Sequence, residues 1–422
     1  MGIDRKYKEV YMGNAQSAKS GFLWNMLGSG IFAAGSMLLS LYVIRVLGAD
    51  EGGIFSIAIT VAQMLAFIEY YETRTFQVTD VKNTYSFADY KAVKLILIIV
   101  AIIVGIIYAI FQSGNSAYKF WVILLMCIYR YIDGYADLYE GTFQKEGRLD
   151  LAGKSQAFRT VFSVSVMAIA IIVLRNQVIA CLLAVIAALI GLILFDQHIM
   201  CVFRSCKVYF EWKQIKGILV ECFPLFCGSF LWTYILSASR IAVNANMPSS
   251  FSSYYQTLFL PVSIINLFAT FIMKPLLPTL ADLYNGKNIR KYVQYILKIV
   301  AFILEFTVVC MLGAYWLGIP VLSLLTGCDL QEYRIILVMI MFAGGINSLS
   351  YFGYYLLSVM RKSAWIFGGY IAAALFSMIS SQWLVVKEGL GGAAFSFLLS
   401  VTLLLVIFCI GNIAGIIRKV KK

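Results

Sequence analysis

Arg130, Asp133, Asp137 and Glu140 stand in the stretch IYRYIDGYADLYEG, residues 128–141, where the surrounding residues would otherwise make an apolar membrane span. At ~100° per residue on a helix these four charges fall within an arc of about 80°, and Tyr131, Tyr135 and Tyr139 line a different stripe. A charge at mid-bilayer is unfavourable by a few kcal/mol, about 3 on the lenient insertion scale, so the stripe must face partner charges or a hydrated cavity. Two kinds of chemistry suit it. An internal Arg130–Asp133 bridge would lock a bundle, whereas ion pairs that open and re-form would make a gate or an ion-coupling path. Arg74, closing the second apolar run, is the cation that can approach Asp137 and Glu140. Lys274 closes the eighth run in the same way, and Glu305 is a lone carboxylate midway along the ninth.

The elements that would hold these groups follow from composition. Of 422 residues, 61% are hydrophobic and only 13% charged, with a mean hydropathy of +0.85. The apolar runs are continuous over about 20 residues and do not alternate, which predicts an all-α integral membrane protein and excludes a β-barrel. Spans are placed at 21–44, 53–71, 93–112, 119–141, 157–174 and 178–201, then at 217–241, 253–275, 292–317, 333–360, 364–386 and 390–417. The first is read as a retained span, because it has full spanning length and no small-residue cleavage signature. Lys and Arg on alternate connections number 27 on one side and 6 on the other, which predicts both termini in the cytoplasm.

Residues 202–216, basic and aromatic, read as a cytoplasmic linker with a surface helix. They divide the chain into two six-helix lobes, 1–201 and 217–422, whose weak likeness suits a parallel repeat around a central cavity. Pro224, Pro261 and Pro275 predict kinks or breaks in the seventh and eighth spans. The nine cysteines are scattered and imply no disulfide framework. No metal-ligand spacing, nucleotide loop or nucleophile arrangement is present, so the reading is of a protein that is not an enzyme and takes no cofactor or metal.

YRYIDGYADLYEGTFQKEGRLDLAGKS resembles the fourth-span segment of Wzx-type polysaccharide repeat-unit flippases, in the multidrug/oligosaccharidyl-lipid/polysaccharide (MOP) exporter superfamily. VIRVLGADEGGIFSIA, RTFQVTDV, PLFCGSFLWTYILSASRIAVN and FLPVSIINLFATFIMKPLLPTLADLYNGK agree with it, over most of residues 20–290. Glu69 and Glu72 depart from the small or apolar residues expected of relatives. The resemblance implies a bacterial inner-membrane flippase that moves an undecaprenyl diphosphate-linked oligosaccharide to the outer leaflet by alternating access. Its implied partners are that lipid-linked substrate, membrane lipids, a polysaccharide polymerase and glycosyltransferases, with no nucleic acid.

A diphosphate crossing a low-dielectric region needs cations near its path, and Arg45, Arg130 and Arg240 are the non-cytoplasmic or intramembrane candidates. Asn25, Gln63, Tyr234, Asn244 and Gln256 are candidates to face the sugars. A drug or cation antiporter of the same superfamily is the nearest alternative and would favour an acidic cavity. A membrane glycosyltransferase or polymerase would need a sizeable extramembrane catalytic loop, and the sequence has none.

Overall fold

The computed structural model describes residues 18–80, 84–203, 208–285 and 289–420, and every regular element among them is helical. In hydrocarbon each backbone N–H and C=O must be satisfied within its own segment, and a helix does this. The helices are α1 (Ala18–Leu47), α2 (Ala49–Tyr70), α3 (Thr73–Thr79), α4 (Phe87–Ser113), α5 (Ala117–Lys145), α6 (Leu149–Leu174) and α7 (Gln177–Gly191). They continue as α8 (His198–Phe203), α9 (Trp212–Asn246), α10 (Ser249–Asn285), α11 (Ile289–Gly313), α12 (Ile319–Thr326), α13 (Arg334–Val359) and α14 (Ser363–Val420). Short π-helical turns, Leu192–Gln197 and Ala314–Gly318, join α7 to α8 and α11 to α12.

Among the described residues nine helical stretches are long and apolar enough to cross a membrane. One of these, α14, turns at Gly389, where φ 57° and ψ −133° suit only glycine, so it supplies two spans. Helices α5 and α10, of 29 and 37 residues, have spanning length as well, and α5 carries the charged stripe. Counted so, the described residues supply twelve segments of spanning length, as suits a multi-pass membrane protein.

Two compact units emerge, Met1–Gly48 with Ile54–Phe230, and Ala49–Gly53 with Leu231–Lys422. Their border falls inside α9. The described part of the expected linker helix differs from the sequence reading: residues 208–211 are not helical, and Trp212 already opens α9. Pro224 and Pro261 do not break α9 or α10, both of which run through them.

In the first unit, α1 crosses α6 at Gly28 and Gly153, where a Cβ on either residue would strike the other helix's backbone. That unit turns apolar side chains outward, among them Ile99, Ile103, Ile107 and Ile110 of α4, and buries Lys94, Arg130, Asp133, Glu140 and Arg159. At the start of α4, Ser86 and Asp89 form a capping box: the Asp89 amide donates to Ser86 Oγ and the Ser86 amide to Asp89 Oδ2 at 2.8 Å. The core of the second unit joins Leu258, Phe259 and Val262 of α10 to Leu337 and Ile340 of α13 and Phe397 of α14.

Candidate functional site

The stripe of α5 is the centre of an ion-pair network in the first unit. Asp133 accepts from Arg130 Nη1 on one oxygen and from Arg159 Nε on the other, both at 3.2 Å. About two turns further along α5, Glu140 accepts from Arg159 Nη2 and from Arg74 Nη1, each at 2.8 Å. Arg74 also donates to Asp137 Oδ1 at 3.0 Å and, through Nε and Nη2, to Gln144 Oε1. A third bond of Arg159, Nη1 to Asp196 Oδ2 at 2.6 Å, ties in the π turn after α7, and Ser155 Oγ donates to the other Asp196 oxygen. Arg130 donates to Ser36 Oγ of α1 and lies 4.6 Å from the Phe32 ring centroid.

Three guanidinium groups thus meet four carboxylates, and Arg159 at 1% exposure is the hub. A planar fork with five donors can hold several carboxylates at once, which a lysine ammonium does less well. Buried pairs of this kind gain little net stability over apolar packing but become very costly when one partner is lost. Their use is to fix geometry: α3, α5, α6 and the π turn are held in one register.

From sequence, Arg159 counts with the cytoplasmic charges of residues 141–159, although it stands two residues inside the fifth span as placed at 157–174. In the fold α6 begins at Leu149, and Arg159 lies about 15 Å into it at 1.5 Å per residue. Lys94 was likewise counted with loop charges and is buried inside α4. Asp196 drew no attention of its own. A polar stripe at a spacing of four, Ser155, Arg159 and Ser163, was the signal that could have found the hub.

Arg74, Asp133, Asp137, Glu140 and Arg130 are therefore brought together. Arg45 is not: it is exposed at the end of α1, nine residues or about 13 Å along that helix from Ser36. Asn25 and Gln63 are half-buried elsewhere in the first unit. Glu305 is exposed on α11, about 200° round from the buried Ile303, so the premise of a buried coupling carboxylate fails there. The side chain of Lys274 lies outside the described residues.

Arg240 has a different setting. On α9 in the second unit it is half-buried, donating to Gln256 Oε1 at 3.2 Å, to the Leu236 carbonyl at 3.3 Å and to Ser237 Oγ at 3.4 Å. Its guanidinium carbon lies 4.7 Å from the Phe259 ring centroid. Among the described residues no carboxylate lies within ion-pair distance of it, and its Nε has no hydrogen-bond partner. One turn on, Asn244 is buried with Oδ1 unpartnered, and Tyr234 is half-buried on the same helix. These polar groups leave a positive charge and spare hydrogen-bonding capacity, which suits an anionic, hydroxyl-bearing ligand.

From sequence alone, exchanging the charges of Arg74 and Glu140 is expected to restore a pairing. The geometry changes that expectation, because an arginine at position 140 would face Arg159. The informative pair is Arg74 with Asp137. In a double-mutant cycle of Arg74→Gln and Asp137→Asn, read as thermal stability in detergent, a coupling of about 1–2 kcal/mol is expected; additivity within about 0.3 kcal/mol would rule out the contact.

Comparison with solved structures shows the fold. The lipid II flippase MurJ, in an inward closed conformation, superposes with a TM-score of 0.69 at 15% identity, over 94% of this chain and 89% of that one. An inward-facing multidrug resistance MATE transporter of the MOP superfamily gives 0.66 at 13% identity, over 98% of both chains. The chain shares the fold of these two proteins. In sequence it is similar to CapF, a capsular polysaccharide biosynthesis protein of Staphylococcus aureus, with 25% identity over 308 residues, 72% of this chain and 76% of the relative. No family model matches the sequence. The resemblance to polysaccharide flippases drawn from the motifs thus stands beside a relative named for capsular polysaccharide biosynthesis and a fold shared with a lipid II flippase.

Proposed function

We propose that this protein flips undecaprenyl diphosphate-linked oligosaccharide repeat units from the cytoplasmic to the outer leaflet of a bacterial inner membrane, for surface polysaccharide synthesis. The observation that carries the reading is Arg240, a half-buried guanidinium on α9 with no carboxylate within ion-pair distance among the described residues. Within a transporter fold, such a cation favours an anionic passenger over a cationic drug, which carboxylates would attract. Arg240 receives the diphosphate, and Gln256, Asn244 and Tyr234 offer hydrogen bonds and stacking surface to the sugars.

Transport proceeds by alternating access, with both termini cytoplasmic and with residues 1–201 and 217–422 as the moving lobes. Arg74, Asp133, Asp137 and Glu140 hold the cytoplasmic end of the first lobe and release part of their pairing during the cycle. The chain performs no bond-breaking chemistry of its own. A polymerase and glycosyltransferases act on the same lipid-linked units before and after the flip.

The test is deletion of the gene. Lipid-linked oligosaccharide is expected to accumulate several-fold in the inner leaflet while surface polysaccharide disappears, and the plasmid-borne gene should reverse both. Unchanged levels of both in the deletion strain would overturn the reading.

A further inference from the structure

The chain passes from α2 into α3 through Tyr71 and Glu72, both in the left-handed region at φ 44° and 54°. Neither is a glycine, so the break is imposed by its surroundings. Tyr71 donates to the Leu219 carbonyl at 3.2 Å and Glu72 accepts from Ser229 Oγ at 2.6 Å, while Lys94 of α4 caps the end of α2. Its ammonium donates to the Glu69 carbonyl at 2.6 Å, to the Tyr70 carbonyl at 3.2 Å and, across the unit, to the Gly134 carbonyl of α5 at 2.9 Å. The first two are carbonyls of the last turn of α2, and together the three bonds occupy every hydrogen the ammonium has. Gly134 permits the approach, since a Cβ there would collide with the Glu69 side chain.

The Glu69 carboxyl group is left over. It is fully buried, lies 4.0 Å from Lys94 Nζ, beyond hydrogen-bond reach, and neither oxygen has a hydrogen-bond partner among the described residues. The titratable groups that face it are Lys94 from α4 and Asp137 and Tyr131 from α5. A carboxylate anion enclosed in this way lacks the donors that ionised carboxylates otherwise collect, whereas a neutral carboxyl group tolerates the site.

We propose that Glu69 is a proton-binding site that sets the α2–α3 break. Protonated, it leaves Lys94 on the α2 carbonyls, the arrangement described above. Once the proton leaves, the carboxylate draws the ammonium across the short gap, the Glu69 and Tyr70 carbonyls lose their donor, and the strained residues Tyr71 and Glu72 lose that cap. Since α3 carries Arg74, the change reaches the Arg74 pairs with Asp137 and Glu140. Proton occupancy at one buried residue thereby alters the network without any substrate.

The experiment uses purified full-length protein in detergent. Infrared spectroscopy during a pH titration is expected to detect the carbonyl stretch of a buried protonated carboxylic acid that disappears as pH rises. Glu69→Gln should abolish that band, Glu69→Asp should displace it in frequency, and Asp137→Asn should retain it. Amide hydrogen exchange across residues 71–79 should rise with pH several-fold more steeply in the wild type than in Glu69→Gln, which follows only the intrinsic base-catalysed increase. If Glu69→Gln does not accumulate, Glu69→Asp decides the assignment. A wild type without the band, a band untouched by both Glu69 variants, or exchange that rises equally in wild type and Glu69→Gln would each overturn the proposal.

Discussion

Arg159→Gln is expected to remove most of the protein from the membrane. The substitution withdraws the one cation shared by Asp133, Glu140 and Asp196, all of which are buried with it. Arg130 and Arg74 remain for Asp133 and Glu140, but among the described residues Asp196 keeps only the Ser155 hydroxyl. Removing one partner of a buried ion pair typically costs about 3–5 kcal/mol, because the remaining charge is neither solvated nor paired. Against a total stability of about 5–15 kcal/mol, that loss removes a large share of the margin and so lowers the steady-state level of folded protein. Two further variants separate charge from packing. Arg159→Lys should recover part of the level, since it keeps the charge and loses the fork, and Arg159→Gln with Asp196→Asn should exceed Arg159→Gln alone, since it removes the orphaned anion. Immunoblots of membranes and size-exclusion profiles of a fluorescent fusion measure all three. A wild-type level and profile for Arg159→Gln would show that the hub does not hold the unit together.

Why the hub escaped the sequence reading has a physical cause. Arg130, Asp133, Asp137 and Glu140 were legible because carboxylates inside an apolar run violate its composition, and their helical spacing put them on one stripe. Arg74 was legible as a cation at the end of a neighbouring span, and the fold places it against two of those carboxylates. Arg159 and Lys94 were hidden by the rule that fixed the topology. A lysine or arginine beside an apolar run is normally a loop charge at the cytoplasmic face, and only the helix start at Leu149 and the capping box at Ser86 move these two inside. Asp196 depends on a π-helical turn, which has no clear signature in residue type. The span count was readable throughout, including the break at Gly389, since Lys387, Glu388 and glycine interrupt two long apolar runs. Glu69 stood out as an unexpected carboxylate, yet its lack of donors is a fact of three helices meeting and could not be read along the chain.

Arg240→Gln is expected to abolish most export while leaving the protein at its normal level, the opposite pattern to Arg159. Its present partners are neutral: the Gln256 amide oxygen, the Leu236 carbonyl and the Ser237 hydroxyl. Losing bonds to neutral groups at a half-buried site destabilises the fold by about 1 kcal/mol, so the second unit should still assemble. For an anionic head group the same change removes a charge-assisted contact worth about 1.5–3 kcal/mol, or roughly ten- to hundred-fold in affinity. Arg240→Lys should keep part of the activity, because it retains the charge but not the two-pronged geometry that matches a phosphate. If the arginine merely reaches toward the outer head groups, as long basic side chains readily do, glutamine and lysine would serve equally well. Arg175, exposed in the left-handed residue that ends α6, is the control and should accept glutamate. Surface polysaccharide restored to a deletion strain, normalised to each variant's membrane level, is the measurement. Full restoration by Arg240→Gln would take this residue out of substrate binding, and with it the main support for an anionic passenger; a graded series, arginine above lysine above glutamine at constant protein level, would tie the unpaired guanidinium to the cargo.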